Sequence, residues 1–398
     1  MATPTGLYLH VPYCRSICPY CDFNVYRAGR APPVAALAQS MGHEMAARAH
    51  AYPGPLTSVY FGGGTPSLAP VPVLLGLLEQ ARATFGLNPS AEVTLEADPG
   101  TVDLASLAAL RAGGINRLSI GWQSSHDALL RTLGRPHDRQ AGLEAVAQAR
   151  AAGFDNISLD LIFAVPGQTM DHLEADLEAL LALQPSHVSL YALTYHSGTP
   201  MARRLAKGTV RRADEELELA MMARIDARLT GAGFDHYEIS NFAKPHRRAV
   251  HNSLYWAYHS YLGIGPGAHS FWRQGTTSAH RWGNLKTPKA YMERWQGPQR
   301  APTPPSPSTG ACADVDFVEA LGPQQMVLEQ MMVGLRLQEG LALAPVRACA
   351  QEACAEQIFD DRVQQLLARG WAQLVGDRLV PTATGRDLCD SAAALFVD

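Results

Sequence analysis

The 398-residue chain is 47% hydrophobic and 18% charged, enough apolar material for one large domain and one small one. Its net charge of -4, with no basic run or tail, argues against a general nucleic-acid binder. No apolar stretch is long enough to span a bilayer, and residues 1–6 lack a basic, apolar signal segment, so a cytoplasmic protein is expected.

In chain order, the first apolar run (residues 7–11) reads as a strand. Directly after it come Cys14, Cys18 and Cys21, spaced C-x3-C-x2-C. Three thiolates are one short of the four that close an electron-transfer cubane. They would hold three irons and leave the fourth open to a small molecule. In radical chemistry that molecule is S-adenosylmethionine, which chelates the open iron before its sulfonium is cleaved. A zinc loop would need a fourth Cys or His at a familiar spacing, and the nearby His10 lies on the strand before the loop. Seven cysteines, three of them clustered, make poor disulfide arithmetic; Cys312, Cys349, Cys354 and Cys389 read as ordinary thiols.

Further strands are predicted at 58–61, 92–97, 117–121, 156–161 and 187–191. Helical patterns fall between and after them at 34–51, 71–85, 104–112, 139–152, 170–183 and 215–232. This alternation predicts an α/β fold with a parallel sheet and helical crossovers. Six such units suit an open or partial barrel, whereas a full eight-unit barrel would need two more. The chemistry-bearing residues follow the strands. The cysteine loop follows the first and the run Gly62–Pro66 the second. Glu96 and Asp98 end the third, Gln123 follows the fourth, and Asp160 lies near the end of the fifth. In parallel α/β folds, ligands bind at that end of the sheet, so these residues are expected to converge on one mouth.

After residue 232 the pattern changes. Residues 233–298 are rich in aromatics, His and Gly; 299–316 are rich in Pro, Ser and Thr and read as a linker. Residues 317–398 read as a small winged-helix-like unit: helices, a hairpin turning at Gly376-Asp377, and a last helix over 384–395. It lacks a concentrated basic face, which favours a docking or lid role over DNA binding.

Gly63 and Gly64, followed by Thr65, let the backbone approach a ligand closely. Glu96 suits a ribose hydroxyl or an ammonium group. Arg135 suits a carboxylate and Asp160 a ribose, with Gln123 beside them. His251, with Tyr255 and Trp256 nearby, suits the iron and the flat ring of haem. Read from chemistry alone, it is more readily a core corner in which His251 and Asn252 satisfy backbone groups.

The motifs LYLHVPYCRSICPYCDF, YFGGGTPS, LEADPGT, IGWQSS, LGRPH, LDLIFAVPGQT, YEISNFAKP and HNSLYW, in that order, resemble the radical S-adenosylmethionine family around oxygen-independent coproporphyrinogen III dehydrogenase. The resemblance implies a partial (β/α)6 barrel with a C-terminal domain. It implies cluster ligation by Cys14, Cys18 and Cys21. Tyr8, Gly63 and Glu96 match contacts to a first S-adenosylmethionine; Gly64, Thr65, Gln123, Arg135 and Asp160 match a second cofactor site. Two features depart from the dehydrogenase. Phe23 stands where that enzyme has a further Cys, and only thirteen residues precede Cys14. HNSLYW is instead similar to the haem-binding motif of the HemW branch, the haem chaperones. That branch implies haem held through His251 and passed to acceptors such as respiratory haem proteins, without dehydrogenase turnover. S-adenosylmethionine cleavage, homodimerisation and transient contact with a membrane stay open.

Overall fold

Six apolar runs, each followed by helix, become six adjacent parallel strands. The computed structural model describes residues 5–49, 54–297 and 315–397. The chain begins with β1 (Gly6–Val11), the short parallel pair β2 (Tyr13–Cys14) and β3 (Tyr26–Arg27), and α1 (Val34–Arg48). Next come β4 (Leu56–Gly63), α2 (Val71–Phe85), β5 (Leu87–Ala97), α3 (Leu104–Ala112), β6 (Arg117–Gln123), α4 (Asp127–Leu133) and α5 (Arg139–Ala151). The barrel part ends with β7 (Ile157–Phe163), α6 (Met170–Ala182), β8 (His187–Ala192), α7 (Pro200–Ala206) and α8 (Glu215–Gly231).

The strand residues explain the burial. Leu7, Leu9 and Val11 of β1 and all of β6 are buried, because helices cover one sheet face and the protein interior the other. Strands buried on both faces read as near-continuous apolar runs. The helix starts are chemically marked. Asp103, Asp138 and Thr169 accept from the backbone N–H groups of Ser106, Ala141 and His172 and so cap α3, α5 and α6.

An extension follows: β9 (Asp235–Glu238), β10 (Asn241–Ala243), α9 (Val250–Trp256), β11 (Tyr261–Ile264), β12 (His269–Arg273), β13 (Ala279–Asn284) and α10 (Pro288–Arg294), then β14 (Val315–Leu321). The main sheet has the order β14-β13-β12-β11-β1-β4-β5-β6-β7-β8-β10-β9. The run β1 to β8 within it is parallel, β11 joins β1 in parallel, and the outer strands are antiparallel. This is the α/β, partial (β/α)6 arrangement expected, widened at both edges. Residues 233–283 show little helical periodicity because they hold five short strands, β9 to β13, and one short helix, α9.

The expected linker at 299–316 needs correcting at its end. Residues 299–314 lie outside the described residues, but Val315 and Asp316 already belong to β14, which pairs with β13. Burial of Val315 and Leu321 makes this segment the last strand of the main sheet. The C-terminal unit follows it: α11 (Pro323–Gly334), β15 (Leu341–Ala342), α12 (Leu343–Glu352), α13 (Glu356–Ala368), β16 (Ala372–Val375), β17 (Arg378–Pro381), α14 (Ala383–Asp387) and α15 (Cys389–Ala394). β16 and β17 form the expected hairpin, with Gly376 at φ +62° supplying the left-handed turn. The expected last helix breaks at Leu388 into α14 and α15. Met326, Val346, Phe359 and Leu379 of this unit share one apolar core with Tyr258, Phe271 and Leu321 of the extension.

A buried carboxylate ties the extension to the barrel. Glu44 of α1 accepts from Arg48 Nε at 2.9 Å, Tyr291 Oη at 2.5 Å, Gly265 N at 3.1 Å and Asn284 Nδ2 at 2.9 Å. Arg48 also lies over the rings of Trp282 and Trp295. Among the described residues no helix is long and apolar enough to cross a membrane.

Candidate cofactor site

The cysteine loop is folded back on the sheet end by backbone hydrogen bonds. Tyr26 N donates to Pro12 O at 2.7 Å, Thr65 N to Tyr13 O at 2.8 Å, and Gly64 N to Val11 O at 2.9 Å. The glycine is required for this approach. A Cβ at residue 64 would lie 2.8 Å from Tyr13 O and 2.9 Å from Cys14 Sγ. Gly63, at φ +120°, has the His10 ring 2.8 Å from where its Cβ would be. The triglycine therefore lets the cysteine loop settle over the ends of β1 and β4.

Cys14, Cys18 and Cys21 line one cavity of about 550 Å³. The wall also carries Gly63, Gly64, Thr65, Glu96, Gln123, Arg135 and Asp160, so residues distant in sequence meet at one mouth as expected. Glu96 accepts from Tyr60 Oη at 2.8 Å and from Gly63 N at 3.2 Å. Burial pushes its carboxyl up to about 7. Asp160 accepts from Ser119 Oγ at 3.0 Å, and burial pushes it up to about 6.

Arg135 pairs with Asp98, and Thr65 Oγ1 donates to the other Asp98 oxygen at 3.0 Å. A second nitrogen of Arg135 points at Cys18 Sγ, 3.6 Å away. Asp98 is thus the hub that joins the glycine loop, the arginine and the cysteine loop. Sequence position alone marked it only as a strand end. Tyr60 and Arg117 were also missed as lining residues. The signal for Tyr60 was available, because it opens the YFGGGTPS motif.

Two expected residues lie behind the cavity wall. Tyr8 stacks on Tyr60 and donates to His10 Nδ1 at 2.9 Å, while His10 Nε2 donates to Asn24 O at 3.0 Å. His251 is fully buried. Its Nδ1 is hydrogen-bonded to Ser58 Oγ at 2.9 Å and its Nε2 to Tyr255 Oη at 2.8 Å. Its own backbone N–H and that of Val250 donate to the Glu92 carboxylate at 3.0 Å. Burial pushes the imidazole down to about 3, so it is neutral. Both ring nitrogens are hydrogen-bonded within the protein, and the ring lies 5.2 Å from that of Tyr60, which lines the cavity; His251 itself is not on the cavity wall. HNSLYW lies in α9, where the His251 ring is satisfied but Trp256 Nε1 is buried without a partner; only Asn252 of that motif reaches the cavity.

The donor set fits a cluster with one open iron. Three thiols face the cavity, and Gln123 Oε1 and Arg135 Nε are buried on its wall without partners. Gln123 also holds φ +65°, a strained backbone for a residue other than glycine. Among the described residues no three His, Cys, Asp or Glu side chains converge on a single metal ion. A cubane sets each thiolate on its own iron, so its ligands stand farther apart than those of one ion. Burial pushes the Cys14 thiol up to about 11 and raises Cys21, so iron binding would release protons from this loop.

The sequence matches the Radical SAM superfamily model over residues 8–180 and the HemN C-terminal domain model over 321–388. A Mycobacterium tuberculosis protein named heme chaperone HemW is 37% identical over 392 residues, covering 98% of this chain and 93% of that protein. A zebrafish (Danio rerio) protein named radical S-adenosyl methionine domain-containing protein 1, mitochondrial, is 33% identical over 367 residues, covering 90% and 78%. Among solved structures, Escherichia coli coproporphyrinogen III oxidase (HemN), a radical SAM enzyme, superposes with a TM-score of 0.81 at 22% identity. That match covers 99% of this chain and 90% of the other, and it is a likeness of fold.

Proposed function

The chain belongs to the radical S-adenosylmethionine superfamily and, within it, to the HemW family, and from that premise we propose that it binds haem and passes it to acceptor haem proteins, with a [4Fe-4S] cluster and S-adenosylmethionine as resident cofactors. The observation that carries the reading is the end-to-end 37% identity to a heme chaperone HemW, which spans barrel, extension and C-terminal unit together. Phe23 supports it too. It is 70% exposed beside the cysteine loop, at the position where the dehydrogenase carries a further Cys.

In this reading Cys14, Cys18 and Cys21 hold the cluster, and Gly63 and Glu96 receive the S-adenosylmethionine ammonium or ribose. The bound cluster supplies an electron source beside the cavity. Gln123, Arg135 and Asp160 form the second polar set; because Arg135 is already paired with Asp98, a ligand carboxylate there would have to share that guanidinium. The cytoplasm is the site of action in this reading.

The test is an anaerobic haem titration of the cluster-reconstituted protein, followed by mixing with an apo-haem acceptor. Saturable uptake and transfer are expected. Absence of uptake, with product formed from coproporphyrinogen III, reductant and S-adenosylmethionine, would replace the chaperone reading with radical decarboxylation.

A further inference from the structure

The interior of a closed parallel barrel is filled by bulky apolar side chains. The inward face of β6 carries none. Arg117, Ser119, Gly121 and Gln123 alternate along the strand and all line the cavity. Leu118, Ile120 and Trp122, on the other face, belong to the apolar core. Arg117 opens the strand and is 2% exposed, so a cation is buried at the start of β6.

A buried guanidinium brings a charge and five N–H donors, and both call for partners. The protein supplies little of either. The ion-pair partner is Glu92, whose Oε2 lies 3.8 Å from Arg117 Nε, too long for a hydrogen bond. Both Glu92 oxygens are already engaged, by Val250 N and His251 N at 3.0 Å each. Asp160, which lines the same cavity, accepts from Ser119. Arg117 Nε is buried without a partner, and the guanidinium makes no hydrogen bond among the described residues. The other two arginines of the wall differ: Arg15 is exposed, and Arg135 is paired with Asp98.

We propose that Arg117 is a carboxylate seat inside the cavity, its guanidinium receiving an acid group of the bound ligand as a two-point hydrogen-bonded pair. The seat rests on the chaperone reading and adds to it a group that holds the ligand. Two ligands of that reading carry carboxylates: haem in its propionates, and S-adenosylmethionine in its methionine end. Arg117 and Gln123 stand at opposite ends of β6, roughly 20 Å apart along an extended strand, and the cysteine loop lies at the Gln123 end. An acid group chelated to iron at that loop is at the far end of the strand from this seat, which favours a haem propionate as the occupant. Glu92 joins Arg117 to the start of α9, whose Asn252 also lines the cavity.

The test uses the full chain, cluster-reconstituted and anaerobic, as parent, R117Q and R117K. R117K keeps a charge without the planar fork and carries the test if R117Q does not fold. Haem and haem dimethyl ester, whose propionates are capped, are titrated by the Soret band. S-adenosylmethionine and its decarboxylated form are titrated by calorimetry. R117Q is expected to weaken haem binding roughly 10- to 100-fold, R117K to weaken it less, and neither to alter binding of the diester. The same pattern with S-adenosylmethionine and its decarboxylated form would keep the seat and assign it to that ligand. Parental affinity of both folded variants for haem and for S-adenosylmethionine, or an equal loss for free and capped ligands, would overturn the seat while leaving the chaperone reading in place. A parent protein that takes up no haem would overturn the chaperone reading, and the S-adenosylmethionine titrations would then decide the seat.

Discussion

The cysteine-loop mouth and the α9 corner are both dense in His, aromatic and polar residues, yet they differ in what is left to bind. At the corner every ring nitrogen of His251 is taken, and Glu92 closes the start of α9. At the mouth three thiols and the Gln123 carbonyl have capacity to spare. Unusual residues therefore mark two different things: a buried polar group that must be satisfied internally, and a surface that stays open for a ligand.

The largest effect that could break this contrast is at the cluster. Cys14→Ser is expected to abolish the visible absorbance of the reconstituted cluster while circular dichroism stays parental; a full cluster in the variant would refute the ligand assignment. Next comes the corner. His251→Ala leaves Ser58 and Tyr255 without their partner, at about 1–3 kcal/mol for each group left buried and unmet. The expected result is a lower denaturation midpoint, and an unchanged midpoint would show the corner to be idle.

A smaller effect is expected of Gly64→Ala. Its methyl meets backbone at 2.8 Å and the Cys14 sulfur at 2.9 Å, so the loop must shift. A destabilisation of about 1–3 kcal/mol is expected, together with poorer cluster uptake measured as iron per chain. The smallest concerns pH. The Glu96 carboxyl sits at about 7, raised by burial, and an ammonium-bearing ligand binds its ionised form. S-adenosylmethionine affinity is therefore expected to rise with pH through about 7 and to fall about tenfold per unit below it. Calorimetry across that range should show the slope in the parent and none in Glu96→Gln.

The parallel core was legible because apolar residues recur along its strands, Leu118, Ile120 and Trp122 of β6 and Leu159, Leu161 and Phe163 of β7, between helical patterns. The cysteine loop was legible because ligand spacing is local. The role of Asp98 was not. It depends on a partner far along the chain, Arg135. The surroundings of His251 were illegible for a related reason. A motif records which residues occur, whereas occupancy of its two nitrogens is decided by Ser58 of β4 and by the next turn of its own helix. Of the outer strands, β10 and β11 escaped notice because they are short, with three residues and four.

The placement of β14 matters for anyone who would shorten this protein. Cutting the chain just before residue 317 would leave β14 only its first two residues and detach the whole C-terminal unit. The backbone of β13 would become an open rim, and Tyr258 and Phe271 would lose the cover of Met326 and Met331. A bare strand rim of this kind recruits other chains. A trimmed version that stays dispersed must therefore keep residues 315–321 and give the apolar face beneath them a new covering.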